Sequence, residues 1–223
     1  MRSLYWRISL SLLLLLLLPA TAFALPYGEA AYATNSTGSI TTAWGTFAKN
    51  WVMDNPTLQS PDGQHVNSIY IRYDSKNIIE IGWYRSYPSS STNPQGFTVR
   101  LKNDVYEFKA LGAMTKGTYA NFQINNVPGT YSFETWINGV RMYTWTNSGF
   151  TSGRTRVGAE RRYGGSGGDT NYANFQELKY KGSSGAWGYW YKINDEYLGG
   201  QEDVWYDVFP NDAAYSLIID RNS

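Results

Sequence analysis

Two glutamates stand out because each lies in a strand-like run and each has a glycine two residues away. Glu80 sits in Asn77-Ile78-Ile79-Glu80-Ile81-Gly82-Trp83-Tyr84, and Glu160 in Arg156-Val157-Gly158-Ala159-Glu160-Arg161-Arg162. Isoleucine and aromatic residues suit a pleated backbone and glutamate does not, so a carboxylate there needs a partner or a task. Side chains two apart share a strand face, so Gly82 and Gly158 each leave bare backbone where a ligand or another backbone can approach a carboxyl. An apolar face around Glu80 would favour its protonated form, as a general acid requires. Arg154, Arg156 and Arg162 would share a face with Glu160 and favour its charged form, as a base or nucleophile requires. Glu80 and Glu160 are therefore the candidate catalytic pair, with Gly82, Trp83, Tyr84 and Gly158 as candidate substrate contacts. The plainer alternatives are an exposed ion pair at Glu160, and at Glu80 an edge charge or a partner for Arg72 or Arg100. Glu107, Glu134 and Glu177 also lie in strand-like runs, and the first two alternate with apolar neighbours as outward-facing residues do.

Other chemistries have less material. The sequence has no cysteine and one histidine, which removes thiol nucleophiles and the usual zinc ligand sets and predicts no metal or cofactor. His65 follows Asp62-Gly63-Gln64, reads as a surface turn residue, and has no Gly-x-Ser-x-Gly elbow to serve. Two acidic, Gly-rich stretches, 165–171 and 194–203, hold oxygen ligands that calcium accepts but match no calcium motif, and read as solvated loops. A net charge of +1 with no basic run speaks against nucleic acid as a partner.

The elements that must position the glutamates read as strands throughout. Tyr, Trp, Gly, Ser, Thr and Asn are abundant, and aromatic or β-branched runs alternate with Gly, Asn and Ser turns. Val66 to Tyr73 and Ile78 to Tyr84 form a hairpin; pairing Tyr73 with Ile78 would set Glu80 on one face with Ile69, Ile71 and Tyr73. Asn138-Gly139 supplies the positive φ of a type I′ turn between Tyr131–Ile137 and Val140–Thr146. Further strands are expected over 97–102, 105–111, 119–125, 154–162, 173–180, 187–193, 204–209 and 215–219. These dozen short strands suit an all-β antiparallel two-sheet sandwich or jelly roll. The aromatic clusters Trp187-Tyr189-Trp190-Tyr191 and Trp136, Tyr143, Trp145 are divided between core packing and a ring-lined binding surface.

Residues 1–24 carry Arg2 and Arg7, an apolar run from Ile8 to Leu18, and Ala22-x-Ala24, the order of a secretory signal peptide cleaved after Ala24. The protein is thus expected to be secreted, with no membrane span in its mature form, since no later run is long and apolar enough. Residues 25–223 are expected to form one domain, with 25–65 as an N-terminal arm and first strands and 66–223 as the sandwich.

At Ile79-Glu80-Ile81-Gly82-Trp83 and Gly158-Ala159-Glu160 the sequence resembles the catalytic domain of neprosin-type glutamic peptidases, over about residues 66–192. Tyr172-Ala173-Asn174-Phe175-Gln176-Glu177-Leu178 falls where a later strand of that family would lie. Ala159 stands where the family has a second glycine, Arg161-Arg162 stand where apolar residues are usual, and the cysteines of the plant members are absent. The resemblance implies a β-sandwich carrying Glu80 and Glu160 as a dyad that hydrolyses a polypeptide under acidic conditions without a cofactor. One carboxylate would activate water while its protonated partner polarises the carbonyl and helps the amine depart. Two alternatives use the same composition. One is a non-catalytic carbohydrate-binding or adhesive sandwich. The other is a jelly-roll glycoside hydrolase acting on a glycan with the same glutamates, although the Glu-Tyr-Tyr and Glu-Gly-Tyr strands of the small xylanases are missing.

Overall fold

The computed structural model describes residues 28–35, 42–53, 64–86, 93–162, 171–190, 193–198 and 215–219. The signal-like segment, the Gly-rich stretch 163–170 and the strand expected over 204–209 lie outside these residues. Fourteen strands are described: β1 Gly28–Asn35, β2 Gly45–Val52, β3 Gln64–Arg72, β4 Asn77–Ser86, β5 Gln95–Lys102, β6 Val105–Ala113 and β7 Thr118–Asn126. They continue as β8 Phe133–Ile137, β9 Val140–Trp145, β10 Arg154–Arg162, β11 Asn171–Lys181, β12 Trp187–Tyr189, β13 Ile193–Leu198 and β14 Tyr215–Ile219. They build two antiparallel sheets, one ordered β13-β1-β10-β3-β4-β5-β6 and the other β12-β11-β2-β7-β8-β9 with β14 against β11. The all-β two-sheet sandwich expected from composition is the fold observed. The run expected as one strand over 187–193 is divided: β12 belongs to the second sheet and β13 to the first.

The β3–β4 hairpin is one residue out of the expected register. Tyr70 pairs with Glu80, Ile71 with Ile79 and Arg72 with Ile78. The turn explains the slip. Asp74 Oδ1 accepts hydrogen bonds from Lys76 N (2.8 Å) and Asn77 Nδ2 (2.9 Å), and Tyr73 N donates to Asn77 O (3.0 Å), which keeps Tyr73 within the connection. Such local capture of backbone by an Asp side chain is what makes it a turn residue. Since side chains alternate, the slip moves Ile69 and Ile71 to the face opposite Glu80. There they join Ile79, Ile81 and Trp83, all fully buried, against Ala48, Phe122, Ile124, Phe133 and Phe175 of the second sheet. At the β8–β9 turn Asn138 and Gly139 have φ of 49° and 78°, as a type I′ turn requires.

Trp83, expected among the substrate contacts, belongs to this core instead. It is fully buried on the inter-sheet face, and its indole Nε1 donates to Trp51 O at 3.0 Å. His65 is a second correction. The residue expected in a surface turn is fully buried within β3, directly opposite Arg85 on β4 and Arg161 on β10. A strand begins at Gln64, earlier than the Asp-Gly turn signal suggests.

Trp83→Phe keeps an aromatic ring in the core but removes the indole donor and part of its volume. We expect a loss of about 1–3 kcal/mol in urea unfolding, from the orphaned carbonyl and the small cavity.

Candidate active site

The register of three central strands brings the two glutamates to one face. Across β10, β3 and β4 the rows read Arg156–Tyr70–Glu80, then Gly158–Ser68–Gly82, then Glu160–Val66–Tyr84. Directly opposed residues share a face, so Glu80 and Glu160 lie diagonally across β3 on the side away from the core. The row between them is Gly-Ser-Gly, a barrier with almost no side-chain bulk. Both line one cleft of about 310 Å³ together with Gln64, Val66, Tyr84, Phe97, Tyr106 and Phe108.

The glycine patches are occupied by the protein itself. A Cβ on Gly158 would lie 2.3 Å from the Tyr32 ring and 3.3 Å from that of Tyr70, so the missing side chain makes room for two phenols. These rings meet edge to face, 5.9 Å apart at 74°. Both hydroxyls donate to the same oxygen, Glu160 Oε1, Tyr32 at 2.5 Å and Tyr70 at 3.2 Å. At Gly82 a Cβ would come within 2.2 Å of Asn67 O and 2.6 Å of Ser68 Cβ, so there the space lets β3 approach β4. Of the expected substrate contacts, Tyr84 alone presents a side chain to the cleft. It stands edge-on to Phe97 (5.7 Å) and Phe108 (5.6 Å), which stack on each other at 5.8 Å and 10°.

Electrostatics place the pair in an unusual state. Glu80 is 8% exposed, and its pKa is pushed up to about 8, first by burial and then by the charge of Glu160, while the hydroxyls of Ser68 and Tyr70 pull it down. Glu160 is raised as well, by burial, with the Tyr32 and Tyr70 hydrogen bonds opposing. The arginines do not hold Glu160 below the ordinary carboxylate range, contrary to the sequence expectation. Arg154 is exposed, while Arg156 donates from Nε to Thr34 Oγ1 at 3.0 Å and lies over the Tyr32 ring at 4.9 Å. Desolvation therefore wins over charge pairing, and what distinguishes the two carboxyls is Tyr32, whose hydrogen bond favours an ionised Glu160, while Tyr70 lowers both. Both phenols are raised well above their usual value by burial and by the carboxyl charges, so they remain donors. Tyr106, at the cleft rim, is raised for the same reasons.

The reading of Glu80 as an edge charge does not hold, since β4 lies between β3 and β5 and Glu80 is buried, and the side chain of Arg162, expected beside Glu160, lies outside the described residues. Arg100 is engaged by Glu107 and by the Thr146 carbonyl, and Arg72 Nε donates to Asp74 O. Glu134 pairs with Arg141. Glu177, at a positive φ of 52° in an irregularity of β11, is gripped by Lys49 and Lys179. Among the described residues no cluster of His, Cys, Asp and Glu could hold a metal ion; of the two stretches expected as acidic loops, 165–170 and 199–203 lie outside the described residues, while 194–198 is part of strand β13. The aromatic clusters divide. Trp145 and Trp190 are core, while Trp187 is 40% exposed on the second sheet, edge-on to Phe47 and beneath Lys181. Tyr191 lies outside the described residues. Sequence reasoning misses Tyr32, Tyr70 and Ser68. Tyr70 alone leaves a signal there, by alternating with Ile69 and Ile71 in the strand beside Glu80.

No family model matches the sequence, and no curated protein matches it, so the neprosin resemblance rests on its motifs. Among solved structures the chain is similar to scytalido-glutamic peptidase, solved with a peptide-based transition state analog. The TM-score is 0.57 at 11% identity, covering 85% of this chain and 96% of that one. A carbohydrate-binding module of Bacillus subtilis matches with TM-score 0.41 at 10% identity, over 60% of this chain and 78% of that one. A β-glucanase of Bacillus licheniformis matches with TM-score 0.38 at 16% identity, over 61% and 67%. At these identities the likeness is one of fold.

The raised pKa of Glu80 makes folding pH-dependent in a defined sense. Relative to the ordinary value of 4.5, the folded state binds this proton more tightly. The resulting stabilisation is complete below about pH 4.5 and is lost progressively as pH rises towards 8. We expect the melting temperature to fall between about pH 5 and pH 9 and the fall to be much shallower in Glu80→Gln. Parallel curves for the two proteins would count against a buried, protonated Glu80. In a second variant, Tyr32→Phe, loss of a donor should raise the pKa of Glu160, measurable by carboxyl 13C NMR titration.

Proposed function

We propose that the protein is an exported hydrolase of the glutamic peptidase type, acting on peptide bonds with Glu160 as base and Glu80 as acid. The observation that carries this reading is the pair itself: two carboxyls in one cleft, one favoured as the acid by burial, the other supplied with two phenol donors. Fold likeness to a glutamic peptidase and the Glu-x-Gly-Trp and Gly-x-Glu motifs support it. Export rests on the signal-like N-terminus.

The chemistry follows from that protonation pattern. Glu160 takes a proton from water as the oxygen attacks the scissile carbonyl carbon, and Glu80 gives its proton to the carbonyl oxygen, forming a neutral tetrahedral species. As the C–N bond breaks, Glu160 passes its proton to the departing nitrogen, and Glu80 recovers one from a hydroxyl. Both carboxyls end as they began, and one water has been consumed. Tyr32 and Tyr70 keep Glu160 Oε1 oriented and favour its charged form. The aromatic side of the cleft excludes water around Glu80, which keeps its proton in place.

A second reading has one specific support. Rings at Tyr84, Phe97 and Phe108 beside two carboxyls would also suit stacking on a sugar, so release of reducing ends from glycans is the competing assay.

Activity requires Glu160 ionised and Glu80 protonated. A bell-shaped profile is expected, rising above the ordinary carboxylate range and falling near pH 8, which places the optimum in weakly acidic to neutral solution. Digestion of denatured casein across this range should show it. Glu80→Gln and Glu160→Gln should each lower kcat by at least about 10²-fold with circular dichroism unchanged. Intact casein at every pH, with a folded protein, would refute the peptidase reading.

A further inference from the structure

We propose that β6 is the edge through which two copies of this chain pair, antiparallel about a two-fold axis at Phe108. Among the described residues β6 ends its sheet, and its nine residues are exposed at every position but Glu107 and Leu111. An open edge presents a row of backbone donors and acceptors, and natural edges are usually blunted by proline, shortness, bulges or inward charge. This one contains no proline, its one irregularity against β5 lies near its far end, opposite Gly96 and Phe97, and its inward charges, Glu107 and Lys109, are of opposite sign. Val105, Tyr106 and Phe108 leave 61%, 38% and 41% of their surfaces uncovered along it.

What selects a second copy as the occupant is the order of the side chains. With the axis at Phe108, that ring meets Phe108 of the second copy. Glu107 then lies opposite Lys109 and Lys109 opposite Glu107, while Tyr106 meets Ala110 and Val105 meets Leu111. The strand is complementary to its own reverse. Opposite charges facing each other across a pair of strands are stabilising and like charges are not. The adjacent registers that keep each side chain on its face centre on Glu107 or on Lys109, and each sets a charge against itself. One register is therefore favoured over its neighbours, as a specific interface requires.

The pairing is two-sided. Glu107 and Lys109 lie on the side of Arg100 and of the Tyr143 ring, over which Lys109 Nζ sits at 5.7 Å. Phe108 and Tyr106 lie on the side of the cleft that they help to line. A two-fold there continues the sheet from one copy into the next and sets the two clefts next to each other, with the Phe108 rings between them. Such pairing is independent of the reaction proposed above.

Sedimentation velocity of the purified protein at micromolar concentration is expected to show a dimer. Lys109→Glu sets carboxylates against each other in both halves of the interface, and Glu107→Lys does the same with ammonium groups. Each variant alone should self-associate roughly tenfold more weakly or worse. An equimolar mixture should dimerise again, because each variant then meets the opposite charge on the other. Lys109→Glu leaves the Arg100–Glu107 pair intact and carries the test alone if Glu107→Lys does not fold, as thermal melts will show. A monomeric parent, variants that dimerise like the parent, or a mixture of folded variants that stays monomeric would each overturn the proposal. So would a monomeric parent that instead takes up an extended peptide along β6.

Discussion

The cost of removing two carboxyl groups from water governs this molecule. Isolated, either charge would be expelled or neutralised. Here burial raises both, and the structure spends two tyrosine hydroxyls and the spare space of a glycine on making one of them tolerable as an anion. The consequence reaches beyond the pair. Gly158 must lack a side chain for the Tyr32 ring to pack against it, Arg156 lies over that ring, and Thr34 takes the Arg156 Nε–H. A chain of neighbours on β1 and β10 thus exists to hold one oxygen of Glu160.

The sheet is suited to this because its two faces carry separate duties. One face of β3 and β4 is apolar at Ile69, Ile71, Ile79 and Ile81, which fasten the two sheets together, with His65 and Asn67 buried further along the same face of β3. The other carries hydroxyls, carboxyls and glycines. A one-residue error in register would exchange the two, placing the carboxyls between the sheets and isoleucines in the cleft. Asp74, by fixing the turn, therefore does as much for the site as for the hairpin.

Much of the fold is legible in the sequence, because alternation and turn chemistry are local. The Asn138-Gly139 hairpin, the all-strand character and the common face of Glu80 with Gly82 all depend on residues close in sequence. What is not legible there is long-range or ambiguous. Tyr32 and Glu160 are 128 residues apart, and a tyrosine in a strand looks like core wherever its hydroxyl points. The arginines around Glu160 suggest a charged carboxylate; whether they or desolvation prevails depends on burial, which sequence spacing does not report. His65 misleads because β3 already begins at Gln64, just after the Asp-Gly signal, and Trp83 because a ring next to Gly82 alternates to the opposite face.

A less visible feature concerns the backbone of Glu80 itself. Trp145, on the last strand of the second sheet, donates from its indole nitrogen to Thr98 Oγ1 at 3.0 Å, and Thr98 Oγ1 donates to the Glu80 carbonyl at 2.7 Å. The three groups are buried, so water cannot replace any link. The acid is thereby anchored from behind by the sheet that does not bear it. Drift in the packing of the far layer is transmitted to the cleft as a displacement of its proton donor. Selection on the chemistry would then be felt at a tryptophan that no substrate ever touches.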